Sequence, residues 1–108
     1  MRLVKTLNLV NTPEAIAAYR EAHDNIWPEI TAGIREVGIT AMDIYLYGNL
    51  AVMIMEIPDE IDLDEAMTRL AGLPRQAEWE EFVGRYQQCD PGDTSAAKWH
   101  PMTPVFSL

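Results

Sequence analysis

Two apolar runs separated by only two residues limit what this chain can fold into more than any other feature. Thr40–Tyr47 alternates, with Met42, Ile44 and Leu46 on one face and Asp43, Tyr45 and Tyr47 on the other. Leu50–Ile57 is almost continuously apolar. Gly48-Asn49 between them is a hairpin turn, because glycine supplies the positive φ that a two-residue connection needs. The pair must therefore be antiparallel neighbours, and the more apolar second strand is the more central.

Around this hairpin the other elements follow in order. Leu3–Val10 reads as a strand of about eight residues with one buried face. Thr12-Pro13-Glu14 starts a helix, with Thr12 as N-cap, Pro13 at the first helical position and Glu14 against the dipole. Along that helix Ile16, Tyr19, His23, Ile26, Trp27, Ile30 and Ile34 share one stripe at 100° per residue. Pro28 interrupts it, since proline removes a hydrogen bond and disfavours helical geometry at Trp27. The segment is one helix kinked near Asp24 or two helices broken between Asp24 and Trp27, ending at Gly38. Asp62 caps a helix that stops near Gly72, Pro74 opens another reaching about Gln88, and Cys89–Ser95 is a loop. Met102–Leu108 is expected as a last strand, confined to an edge by Pro104.

Strand, helix, strand, strand, helix pair, strand is the order of a ferredoxin-like α+β sandwich, one antiparallel sheet with helices on one face. The 108 residues are expected to form one domain, 1–108. Such a sheet leaves its other face bare. Met53, Met55, Tyr45 and Tyr47 are expected there, and a homodimer would cover them.

A net charge of −9 excludes the basic patches that nucleic acid and anionic membranes require. One cysteine, Cys89, allows no internal disulfide. No stretch suits a signal peptide or a membrane span, so a cytoplasmic location is expected. The two histidines, His23 and His100, lie far apart, which leaves no metal-ligand spacing, and no phosphate-binding glycine motif occurs.

Chemistry concentrates on Tyr19-Arg20-Glu21-Ala22-His23-Asp24-Asn25-Ile26-Trp27-Pro28-Glu29. Imidazole exchanges protons near neutral pH, and Tyr19 and Trp27 flank His23 one helical turn away on either side. A packed helix histidine is the plainer alternative. Trp79, with Phe82, Val83 and Tyr86, reads equally as a core anchor. The acidic run from Asp59 to Glu65 reads as caps and a solvated face, and Trp99-His100 as packing.

Tyr19-x-x-x-His23-x-x-Ile26-Trp27-Pro28-Glu29, Ile44-Tyr45-Leu46, Met55-Glu56-Ile57, Trp79 and the ending Val105-Phe106-x-Leu108 together resemble the L-rhamnose mutarotase family over nearly the whole chain. The resemblance implies a dimeric α+β barrel and a cofactor-free isomerase that interconverts the anomers of a 6-deoxyhexose. It implies that His23 is the proton donor, that Tyr19 binds the sugar, and that Trp79 is the second residue of a sugar-contacting pair. Glu78 stands where that pair has its other tryptophan, and Met42 where the family has a sugar-contacting tyrosine. These departures leave L-rhamnose and L-fucose both open. Trp27 and Tyr45 complete the candidate contacts, and Glu29 is a candidate to hold the His23 tautomer. A non-catalytic ligand-binding module and a cofactor-independent monooxygenase of the same architecture are the competing possibilities.

Overall fold

The computed structural model describes residues 1–108. Strand β1 (Arg2–Asn8) is followed by helices α1 (Pro13–Asp24) and α2 (Pro28–Glu36). The hairpin β2 (Ala41–Tyr47) and β3 (Leu50–Glu56) comes next, and then α3 (Leu63–Ala71), α4 (Gln76–Gly84), α5 (Ser95–Lys98) and β4 (His100–Pro101). The sheet order is β2-β3-β1-β4 and every neighbouring pair is antiparallel. This is the ferredoxin-like α+β arrangement, with β3 central as its composition requires.

Register fixes which side of the sheet each residue occupies. Gly48 turns the hairpin at φ +57, pairing Tyr47 with Leu50 and, one step in, Leu46 with Ala51. The inward face then carries Met42 beside Met55, Ile44 beside Met53, and Leu3, Lys5 and Leu7 from β1. Met53 and Met55 are therefore buried under the helices, not on the bare face. A continuous apolar run has no phase of its own, and only the turn supplies one. The uncovered face holds Val4, Thr6, Asp43, Tyr45, Tyr47, Val52 and Ile54. Tyr45 is 60% and Tyr47 86% exposed.

Helix boundaries follow local chemistry with two exceptions. Thr12 accepts the amide of Ala15 at 3.1 Å, with Pro13 at the first helical position. Pro28 holds Trp27 at φ −69, ψ 136, because αR geometry before a proline is sterically disfavoured. The long stripe is thus two helices, and Trp27 turns away from the axis of α1. The first exception is Pro74, which does not open α4. That helix begins at Gln76 behind Arg75, which sits in left-handed geometry at φ 64, and it ends at Gly84 instead of near Gln88. The second is the C-terminus. Pairing stops at His100–Pro101, opposite Lys5 and Thr6, so Met102–Leu108 is not a strand. Val105, Phe106 and Leu108 stand almost fully exposed. The loop after Cys89 gives way to α5, capped by Thr94 on the amide of Ala97.

Candidate active site

A cavity of about 970 Å³ opens between α1 and the edge strand β2, with walls from Ile16, Tyr19, His23, Ile26, Met42 and Ile44. The helical spacing of Tyr19 and His23 aims both rings from one face of α1, and their centroids are 4.3 Å apart. Met42 faces them from β2. Tyr45 borders the cavity at its strand edge, but its register beside Val52 sends the side chain to the uncovered face.

His23 is tied by one bond. Its Nδ1 lies 2.8 Å from the Tyr19 carbonyl oxygen. A carbonyl can only accept, so Nδ1 carries the proton and Nε2 keeps its lone pair free for a ligand. The main chain of α1 thus sets the tautomer. Glu29 does not. Its carboxylate pairs with Arg75 at 3.5 Å. Burial pushes the His23 pKa down, while the Tyr19 carbonyl and the charges of Asp24 and Glu80 push it back up in part. Neutral imidazole at pH 7 is the result.

Tyr19 is 2% exposed. Neither its hydroxyl nor the buried Gln87 side-chain oxygen has a hydrogen-bond partner of good geometry. Burial drives the phenol pKa well above its usual 10, the nearby Gln87 opposing and the Glu80 charge adding to the rise. Tyr19 is therefore a neutral donor held in reserve.

Behind the imidazole stands a wall of rings. Trp79, 5% exposed, meets His23 edge-on at 5.3 Å and Trp27 edge-on at 5.2 Å. Phe82 stacks on Trp27 at 5.6 Å with 15° between planes. The Arg75 guanidinium lies 4.0 Å from the centre of the Trp27 ring and reaches Glu78 at 3.6 Å. Trp79 thus packs on His23 from outside the cavity walls, Trp27 packs on Trp79, and the exposed Glu78 pairs with Arg75, not with His23, whereas Tyr19, His23 and Met42 border the cavity.

Glu80, Gln87 and Lys98 were not singled out by sequence. Gln76, Glu80, Val83 and Gln87 follow one another at helical spacing on and just past α4. Gln76 and Gln87 are buried, and Glu80 shows only 12% of its side chain. Polar residues recurring on a core-facing stripe were the available signal.

No group of histidine, cysteine or carboxylate side chains is arranged to hold a metal. What the cavity offers is a neutral imidazole with one free nitrogen and apolar walls, with the Tyr19 hydroxyl buried behind its ring. That set suits proton transfer on a small polyhydroxylated molecule.

Comparison with known proteins agrees with the geometry. Residues 2–108 match the family model of L-rhamnose mutarotase. The chain is 32% identical over 109 residues to the L-fucose mutarotase of Xanthomonas campestris, covering 99% of this chain and 87% of that one. The crystal structure of L-rhamnose mutarotase from Formosa agariphila superposes with a TM-score of 0.77 at 21% identity, covering 100% of this chain and 98% of that one. An antibiotic biosynthesis monooxygenase shares the fold alone, with a TM-score of 0.60 at 17% identity, covering 97% of this chain and 99% of that one. The family match thus makes this α+β sandwich a sugar isomerase. The chain belongs to the L-rhamnose mutarotase family, whose members interconvert sugar anomers.

Proposed function

We propose that this chain is a mutarotase for a 6-deoxyhexose, L-fucose or L-rhamnose, and that His23 moves the proton. The free Nε2 of a neutral His23 beside the unpaired Tyr19 hydroxyl is the observation that carries it. Nε2 takes the proton of the anomeric hydroxyl as C1=O forms and the bond from C1 to the ring oxygen breaks. The imidazolium then gives that proton to the oxygen released from C1, which before cleavage shared that carbon with the anomeric hydroxyl and so lies within reach of the same nitrogen. Rotation about C1–C2 and the reverse transfer close the other anomer. Tyr19 donates to a sugar oxygen and orients the ring. Met42 meets the sugar across the cavity, and Trp79, braced by Trp27, holds the imidazole from behind. Sugar already equilibrates in water, so acid–base assistance of ~10²–10⁴-fold is sufficient.

A second copy of the chain is the proposed partner. Half-buried Val4, Val52 and Ile54 with exposed Tyr45 and Tyr47 form an uncovered apolar face, and a two-fold contact would bury it. No helix is long and apolar enough to cross a membrane, in keeping with a cytoplasmic site of action.

Saturation-transfer NMR on L-fucose, L-rhamnose, D-galactose and D-glucose tests the assignment. Accelerated anomer exchange with one or both deoxysugars is expected. Binding without acceleration, or acceleration only with D-glucose, would overturn it.

A further inference from the structure

Three large apolar side chains end this chain in the open. Val105 is 97% and Phe106 83% exposed, and Leu108 is fully so. No amide after Met102 donates a backbone hydrogen bond. Apolar surface of this kind marks a contact with another molecule.

Register shows where the segment goes. Pro101 pairs with Lys5 and His100 with Thr6, and the Met102 amide donates to the Val4 carbonyl at 2.8 Å. Continued one for one, this register sets Pro104 opposite Arg2, the first residue of β1. Residues 105–108 therefore run past the end of the sheet. Phe106 and Leu108 fall on one face of an extended segment and Val105 on the other, which is the pattern of a strand covered on both sides.

A place for such a strand exists at the opposite edge. β2 has β3 on one side only, so its outer N–H and C=O groups form an open edge. Met42, Ile44 and Leu46 on its inward face are walls of the cavity that holds His23. A strand added there alternates too, so every second side chain extends that wall and the others join the bare face. The chain's own tail cannot fill the place. β4 and β2 stand three strand spacings apart, ~14 Å, and four extended residues span only ~13 Å. A second copy can fill it. In a two-fold contact between bare sheet faces, with the axis along the strands, the order β2-β3-β1-β4 is reversed in the partner, and its β4 falls beside β2.

We infer that the partner's C-terminal segment adds to the free edge of β2 and closes the sugar cavity, with the partner's Phe106 on the cavity side against the sugar. The bulkier pair of tail side chains takes the roomier side. A volume of about 970 Å³ equals that of the largest pockets occupied by drug-sized ligands, and a monosaccharide leaves space in it for a ring. Trp27 and Trp79 lie outside the cavity walls, which leaves the C–H face of a sugar without an indole to lie on. The partner's Phe106 supplies a ring there.

The inference rests on the mutarotase reading and on the sheet-to-sheet dimer, but its first readout does not need activity. Amide hydrogen exchange on the full-length protein should find residues 105–108 protected in the dimer, and freely exchanging in Ile54→Asp, which separates the copies. Complementation then reads the site. Phe106 is exposed in its own chain, so Phe106→Asp should fold normally, yet anomer exchange should drop at least about tenfold for the lost ring contact. His23→Ala should be inactive as well. Co-refolded in equal amounts, the two variants form mixed dimers in which one cavity joins an intact His23 to the intact tail of the other copy. Random pairing then restores about a quarter of the parent rate, whereas a tail that served its own chain would restore nothing. Unprotected tail amides in a dimer, or no recovery on mixing, would overturn the inference and leave the mutarotase assignment standing. Protected tail amides in a protein that accelerates no sugar would overturn the assignment and leave the tail closing the cavity.

Discussion

Tyr19→Phe should make the protein more stable and less active at once. The substitution removes one oxygen from a side chain that is 2% exposed and whose hydroxyl has no hydrogen-bond partner. A buried unpaired polar group costs about 1–3 kcal/mol. The neighbouring Gln87 recovers part of that, which leaves a net gain of about 1 kcal/mol on deletion. With an unfolding entropy of about 2.1 cal/mol/K per residue, that gain raises Tm by about 4 °C for a chain of this length. Anomer exchange should fall at least about tenfold, since one hydrogen bond to the reacting sugar is worth about 1.4 kcal/mol of barrier. Thermal unfolding by circular dichroism and saturation-transfer NMR on the same samples read both effects. A Tm lowered by several degrees would mean that the hydroxyl is already satisfied inside the protein. Unchanged exchange would mean that the sugar does not use it.

Burial holds His23 below its usual 6.5, so the acid limb of the kcat/KM profile should have its midpoint below pH 6.5. As pH falls the unfolded chain takes up this proton first, so the group subtracts stability from about pH 6.5 down to the folded midpoint and is neutral in effect above that window. His23→Gln should accordingly match the parent protein in stability above pH 7 and exceed it on the acid side in chemical denaturation. Ile54→Asp, placing a charge at the centre of the uncovered sheet face, should convert a dimer to a monomer in light scattering coupled to size exclusion, and a parent protein that is monomeric at micromolar concentration would remove the dimer.

Where a short-range rule governs a residue, the sequence was enough. Gly48 turns the hairpin, Thr12 and Pro13 start α1, Pro28 makes Trp27 extended, and Gly38 at φ +101 closes α2. Each follows from the backbone preferences of one or two residues. Tyr19 and His23 are legible for the same reason, since four residues of helix put them on one face. Arg75 is not. Besides a local pair with Glu78, its side chain meets Glu29 and the face of Trp27 at the start of α2, contacts that no local pattern carries. The apolar tail reads as a strand from composition, but a strand needs a partner, and the short β4 offers it none within this chain. The buried face of β3 is not legible in the sequence, because an all-apolar run carries no phase. Around His23, helical spacing could supply the neighbours on α1 but not Glu80 or Gln87, whose proximity depends on how α4 packs against α1.

If His23 moves the proton, His23→Ala should lose it while the fold stays intact. Saturation transfer between the anomers of the preferred deoxysugar, with equal concentrations of parent and variant, reads this in one experiment. Exchange in the variant should fall by ~10²–10⁴-fold, to the spontaneous rate. Exchange as fast in His23→Ala as in the parent protein would place the acid–base chemistry on another residue.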